Sequence, residues 1–74
     1  MSPKLPALTA RELIAILKEK GFELDRQSGS HAIYIHHDGR RTTVPIHGKR
    51  DLGKGLLRQI MKDCGLNTED LIRR

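Results

Sequence analysis

The sequence predicts an α+β fold, in which two helices flank a three-stranded antiparallel sheet. Three observations lead to this fold class. Apolar residues recur at helical spacing near both ends of the chain, the residues between them alternate between apolar and polar, and glycine-containing turns separate the alternating segments. Two helices on one face of a small sheet form a two-layer α-β-β-β-α sandwich, which leaves the other face of the sheet open.

The first helix is predicted over residues 10–20. Thr9 and Glu12 have the spacing of a capping box, in which the two side chains satisfy each other's backbone N–H groups. Gly21 supplies a left-handed cap at the other end of the helix. The preceding residues 1–8 contain two prolines and are expected to form an extended lead-in.

Three strands are predicted in the middle of the chain. The alternating segments cover residues 22–27, 31–36 and 41–46. In the first segment the alternation places Phe22, Leu24 and Arg26 on one face. Ser28-Gly29-Ser30 and Asp38-Gly39 provide the two connecting turns. The third segment contains Pro45, which lacks a backbone N–H, so this strand ends there or lies at an edge of the sheet.

The second helix follows a polar, basic loop over residues 47–51. Its apolar residues fall on one helical face and are Leu52, Leu56, Leu57, Ile60, Met61 and Cys64. The two sulfur-containing members of this set are interpreted as core residues rather than as metal ligands. Gly65 caps the helix, and Asn67 with Asp70 is predicted to open a short final turn.

The size and composition of the chain restrict its function. Residues 9–74 are predicted to form a single domain, and a domain of this size has no room for a deep pocket around a large cofactor. No cofactor is therefore expected, and an active site would lie at the surface. Cys64 is the only cysteine, which excludes an intramolecular disulfide. The sequence contains no signal peptide and no transmembrane segment, so we expect a cytoplasmic protein without a membrane partner.

The positive charge is concentrated in one part of the chain. The whole sequence has a net charge of +5, whereas residues 40–62 hold seven Lys and Arg residues against Asp51 alone. A segregated basic region suits a polyanion, because Lys and Arg replace the counterions that condense on phosphates. A basic, solubilising surface is the alternative interpretation.

The run Ser28-Gly29-Ser30-His31 is the first candidate for chemistry. The histidine begins the second strand directly after a tight turn, where a side chain is presented at the open surface of a sheet. Gly29 allows a ligand to approach the backbone closely, and Ser30 adds a hydroxyl and an N–H group. An ordinary turn with a half-exposed histidine is the alternative interpretation.

RNA is a substrate that such a site could cleave without a metal. It carries its own nucleophile, the 2′-hydroxyl beside each phosphate. A single histidine such as His31 can act as the general base toward this hydroxyl or as the acid toward the leaving oxygen, and the residues do not separate the two roles. Nearby cations stabilise the charge that develops on the phosphate.

The residues before the second helix could hold the phosphates. Lys49, Arg50 and Lys54, termed here the basic cluster, lie just before and within its first turn, and the N–H groups at a helix start bind anions. His47 follows the third strand beside this cluster, where it could orient a phosphate or support His31. An exposed loop histidine is the alternative interpretation.

The four histidines do not have the spacing of a metal site. His36 and His37 are adjacent in the predicted second strand and its turn, so they are expected to point to opposite faces and to be solvated. The chain also lacks a second ligand pair of the zinc-finger type. No metal is therefore expected.

The chain resembles the HicA family of bacterial toxins, which are small messenger-RNA interferases. The resemblance covers about residues 9–66. The matching residues, in chain order, are Leu13, Leu17, Gly21-Phe22, Gly29-Ser30-His31, Tyr34, Val44-Pro45-Ile46-His47, Gly55, Leu57, Ile60 and Gly65-Leu66. The ordered set at these separations is more specific than any single member of it.

The resemblance implies a fold similar to a double-stranded-RNA-binding domain. It also implies a ribonuclease that cleaves messenger RNA, with His31 as the catalytic residue and Gly29 important for activity. The expected protein partner is an antitoxin of the HicB type, which neutralises the toxin by covering its active region. A double-stranded-RNA-binding module without chemistry and a protein-interaction domain with a basic face are the alternatives.

Overall fold

The computed structural model describes residues 4–72 and has the predicted order of helices and strands. The elements are α1 (Ala10–Glu19), β1 (Phe22–Ser28), β2 (His31–His36), β3 (Arg41–Pro45), α2 (Lys54–Cys64) and α3 (Thr68–Ile72). None of the helices in this part of the chain is both long enough and apolar enough to cross a membrane.

The three strands form one antiparallel sheet in the order β1-β2-β3. Ala32 and Tyr34 of β2 are buried beneath the helices, whereas His31, Ile33 and Ile35 alternate with them on the opposite face. The prediction of an α+β fold with one open sheet face is therefore confirmed. Pro45 ends β3 at an edge of the sheet, so both expectations for this residue hold.

The core lies between the sheet and the helices. Its largest fully buried side chains are Leu13, Ile16, Leu17, Phe22, Val44, Leu57, Ile60, Cys64 and Leu71. Cys64 is a core residue, as predicted, and burial in this apolar surrounding raises the pKa of its thiol to about 11. The thiol is therefore protonated and packs as a small apolar side chain.

Local signals in the sequence set the ends of the helices. The N–H of Glu12 donates to the Thr9 hydroxyl at 3.2 Å, and the N–H of Thr9 donates to the Glu12 carboxylate at 2.9 Å, which completes the capping box. Gly65 ends α2 in the left-handed conformation, with φ of +68°. Asn67 and Asp70 exchange hydrogen bonds of 2.9 and 3.0 Å at the start of α3.

The prediction for the faces of β1 is wrong beyond Leu24. A β-bulge between Leu24 and Arg26 shifts the register, so that Arg26 lies opposite Ile33 on the open face instead of sharing the face of Phe22. The bulged residue, Asp25, approaches Arg41 of β3 to 3.9 Å across this face. An extra residue in one strand reverses the alternation that follows it.

The segment before α2 is paired with the start of α1. The N–H of Leu52 donates to the carbonyl oxygen of Leu8 at 2.7 Å, and Thr9 forms an isolated antiparallel bridge with Asp51. Leu8 and Leu52 are both buried. This pairing holds the backbone at Leu52 in an extended form, so α2 begins only at Lys54. The apolar residues predicted for this helix start two residues earlier, at Leu52.

Candidate active site

The candidate active site is built on the two-residue turn between β1 and β2. Ser28 pairs with His31 across the turn, and Gly29 has φ of +59° while Ser30 stays at negative φ. A positive φ at the first central residue alone is the pattern of a type II′ turn, which requires glycine there. The Gln27 side chain donates to the carbonyl oxygen of Gly29 at 3.1 Å and holds the turn closed.

His31 lies on the open face of the sheet, at the end of β2. Its neighbours in the same cross-strand row are Ser28 on β1 and Pro45 on β3. The imidazole is exposed, and within residues 4–72 it makes no hydrogen bond or ion pair with another side chain. Both ring nitrogens are therefore available to a ligand that approaches the open face.

The loop after β3 lies directly beside this turn. The N–H of Ile46 donates to the carbonyl oxygen of Ser30 at 2.6 Å, which extends the β2–β3 ladder by one step. His47 follows at once and is exposed. The backbone pairing thus places His47 at the same end of the sheet as Gly29, Ser30 and His31.

The basic cluster continues from this loop to the start of α2. Lys49, Arg50 and Lys54 are exposed, and none of them forms an ion pair in the part of the chain that the structure describes. The N-cap residue of α2 is Gly53, which has no side chain to cap the helix, and the first turn of α2 contains no acidic residue. The N–H groups at this end therefore add to the positive potential of the cluster.

The prediction that His36 is solvated is wrong. Its side chain is only 11% exposed, and its ring meets the ring of Phe22 edge to face at 5.1 Å. The N–H of Asp38 donates to its Nδ1 at 3.2 Å. His36 is a packed residue of the sheet, held in place by the core and by the turn.

His37 is exposed, as predicted, but its orientation departs from the expectation. Its ring lies over that of His36, with centroids 4.3 Å apart, because the chain has already entered the turn and no longer alternates like a strand. The two rings therefore do not point to opposite faces. Among residues 4–72 no three His, Cys, Asp or Glu side chains are arranged to hold a metal ion.

Two contacts that hold the site in place were not predicted from the sequence. The bond from Gln27 to Gly29 and the pairing of Leu8 with Leu52 fix the turn and the loop from either side. The first had a local signal, since a glutamine near a tight turn can reach a backbone carbonyl. The second joins segments that are distant in the chain and leaves no local pattern.

Comparison with known proteins assigns the chain to a family. Residues 10–66 match the model of the family described as the HicA toxin of bacterial toxin-antitoxin systems. A protein of Pseudomonas fluorescens (strain Pf0-1) named "Probable mRNA interferase HicA" is 38% identical over 50 residues, which is 68% of this chain and 82% of that relative. The residues of the turn and of the following loop all lie within the matched range. This chain belongs to the HicA toxin family.

Proposed function

We propose that this protein is an endoribonuclease that cleaves messenger RNA, as the toxin of a toxin–antitoxin pair, and that His31 is its acid–base residue. The observation that carries the proposal is the exposed, unpartnered imidazole of His31 beside a loop of exposed cations. The name of the relative from Pseudomonas fluorescens, a probable mRNA interferase, supports the same activity. The cytoplasm, where messenger RNA is translated, would be its place of action.

The cleavage needs one proton acceptor and one proton donor around a phosphate. In one form of the reaction His31 removes the proton of the 2′-hydroxyl, whose oxygen then bonds to the adjacent phosphorus while the bond from phosphorus to the 5′-oxygen breaks. Water then supplies the proton that the departing 5′-oxygen takes. In the other form water accepts the first proton and protonated His31 gives its proton to the departing oxygen.

The surroundings of His31 are suited to bind and stabilise the phosphate. The basic cluster of Lys49, Arg50 and Lys54 would hold the RNA backbone, and His47 would assist at the loop nearest the turn. Gly29 has nothing within 4 Å of the position where a Cβ would lie, so RNA can approach the turn backbone closely. The Ser30 hydroxyl has no partner in residues 4–72 and is free to contact the phosphate or the ribose.

An antitoxin of the HicB type would neutralise the enzyme by covering this region. His31 and the basic cluster both lie at the surface, so a protein that contacts the turn and the loop would exclude RNA from both. The open sheet face gives such a partner a surface next to the imidazole. Inhibition would then require no change in the fold.

The proposal is tested by cleavage of a labelled messenger RNA with the purified protein in the presence of EDTA. We expect the native protein to shorten the RNA and His31→Ala to lose about 10²-fold or more of the rate, as is typical when an acid–base group is removed. His37→Ala is the matched control, since it removes an exposed histidine of the far turn. It should cleave at the native rate.

Each result has a defined meaning. Equal cleavage by His31→Ala and the native protein would overturn the role of His31. Loss of cleavage with EDTA, restored by a divalent cation, would overturn the metal-independent reaction. RNA that is retarded on a gel but keeps its length, with protein shown to be folded, would indicate a binding module without chemistry.

A further inference from the structure

A groove on the side of α1 has no part in the proposed reaction apart from Lys49, which it shares with the basic cluster. It has a volume of about 710 Å³ and lies between α1 and the loop that leaves β3. Its apolar residues are half-buried and are Ile14, Ala15 and Ile46. Its charged residues are exposed cations, namely Arg11, Lys18 and Lys49. No carboxylate lines the groove within residues 4–72.

The helical wall of the groove lies beside the fully buried face of α1, and Ile14 of this wall also packs against the core. Its four residues have the spacing i, i+3, i+4 and i+7, which places them along one stripe of the helix, and they are Arg11, Ile14, Ala15 and Lys18. The fully buried residues Leu13, Ile16 and Leu17 lie on another stripe. This wall therefore leaves apolar surface of Ile14 and Ala15 partly exposed between two cations.

We propose that this groove binds an acidic amphipathic segment of a protein partner. Apolar side chains of the segment would contact Ile14, Ala15 and Ile46, while carboxylates on its flanks would pair with the cations on either side. This arrangement is the helix-in-groove mode of peptide recognition. Charge complementarity indicates an acidic partner, because the lining of the groove within residues 4–72 has three cations and no acidic side chain.

RNA fits this groove less well than an acidic peptide does. RNA is bound through its phosphates, its 2′-hydroxyls and the stacking of bases on aromatic rings. Apart from its cations, the groove is lined within residues 4–72 by Ile14, Ala15, Ile46, Thr9 and Gly48, and no aromatic ring there can stack on a base. A peptide with alternating apolar and acidic faces uses both parts of the groove.

Occupancy of the groove would reach the candidate active site. Ile46 and Lys49 belong to the loop that also carries His47, and Ile46 bonds directly to Ser30 of the turn. A partner seated against them would contact the loop and obstruct RNA at His31. This consequence rests on the proposed function, whereas binding in the groove does not.

Nuclear magnetic resonance with isotope-labelled protein can test the docking without measuring RNA cleavage. The probe is a synthetic helical peptide with leucines at i, i+3, i+4 and i+7 and glutamates on both flanks. We expect it to shift the amide signals of Ile14, Ala15 and Ile46. A second peptide with lysine in place of each glutamate should not shift them at the same concentration.

Three variants of the protein locate the binding. Arg11→Glu should lower the affinity for the glutamate peptide by about fivefold or more, as expected when one charge contact is lost and reversed. Arg58→Glu is the matched control, because it makes the same change at an exposed helical position outside the groove, and it should alter the affinity by less than about twofold. Ala15→Glu introduces a carboxylate into the groove and should abolish binding.

Three outcomes would overturn the docking proposal. The first is equal binding of the lysine and glutamate peptides, and the second is binding of the glutamate peptide with signal shifts confined to residues outside the groove. The third is that a short RNA duplex, and not the peptide, shifts the groove signals. RNA cleavage by the same samples is measured separately, so failure of the docking leaves the test of His31 unaffected.

Discussion

The backbone N–H of Ile46 donates a 2.6 Å hydrogen bond to the carbonyl oxygen of Ser30. This bond follows the last pair of the β2–β3 ladder, His31 with Pro45, and ties the loop after β3 to the turn that precedes β2. His47 is the next residue of that loop. Backbone pairing, rather than a side-chain contact, therefore places the two histidines at the same end of the sheet.

This arrangement predicts a secondary role for His47 in cleavage. We expect His47→Ala to lower the rate of RNA cleavage by about tenfold, which is less than the loss for His31→Ala because the turn and the basic cluster remain. The measurement is kcat/KM on a short labelled RNA. If both histidines act on the same step, the double variant should be no slower than His31→Ala alone. Equal rates for His47→Ala and native protein would exclude the role.

Gly29 is predicted to be required for the backbone conformation of the turn, and not because a side chain at this position would clash with other atoms. Its φ of +59° is unfavourable for a residue with a Cβ, although an added Cβ would meet no atom within 4 Å. We expect Gly29→Ala to lower the free energy of unfolding by about 1 kcal/mol and to reduce RNA cleavage. Gly29→Asn should retain more stability, because asparagine tolerates this conformation better than alanine does.

Gly55 provides the matched control for that substitution. It lies in the first turn of α2, without a positive φ, and an added Cβ there also meets no atom within 4 Å. Gly55→Ala should therefore raise the free energy of unfolding by about 0.5–1 kcal/mol. Urea unfolding of both variants measures the contrast. A loss of stability at both positions would show that alanine is disfavoured for a reason other than φ.

The sequence predicted those parts of the fold and site that depend on neighbours in the chain. The capping box of Thr9 and Glu12 and the left-handed cap at Gly65 involve residues that are close together along the sequence. The turn before His31 has the same character, since Gly29 alone carries its conformational signal. Local physical chemistry was sufficient for each of these features.

The features that were missed depend on residues far apart in the chain. His36 ends β2 at a position that sequence analysis expected to be solvated, but it is buried by contact with Phe22 and by the absence of a side chain at Gly21. An added Cβ at Gly21 would come within 3.0 Å of the His36 ring. The bulge beside Leu24 likewise has no local signal, because it is a property of how two strands pair.

Arg40 is half-buried and is predicted to contribute more to stability than its exposed neighbour Arg41. Its guanidinium donates to the carbonyl oxygen of Cys64, bonds to Asp38 at 2.9 Å and lies 5.2 Å from the centre of the Phe22 ring. It thus joins the turn before β3 to the end of α2. We expect Arg40→Ala to lower the free energy of unfolding by about 2–3 kcal/mol in urea titrations.

Arg41 is the matched control for Arg40. It is the next residue in the chain, and its side chain is 56% exposed with a single contact of 3.9 Å to Asp25. Arg41→Ala should change the free energy of unfolding by less than about 0.5 kcal/mol. Similar losses for the two variants would show that the contact of Arg40 with the end of α2 is not what stabilises the protein.

Stability is predicted to fall in acid because of Asp70 and Asp38. The pKa of Asp70 is lowered below its usual 3.8, first by the backbone N–H of Asn67 and then by the Lys20 ammonium, which lies 3.1 Å away. The backbone N–H of Arg40 similarly lowers the pKa of Asp38. A carboxyl whose pKa is lower in the folded state stabilises that state above its unfolded pKa, and this contribution is lost as the pH falls through the folded pKa. The melting temperature should therefore be nearly constant from about pH 7 to 5 and decrease below about pH 4.

Asp70→Asn should melt lower than the native protein at neutral pH, and the two curves should converge in acid. A constant difference between them at every pH would show that the charge of Asp70 does not contribute.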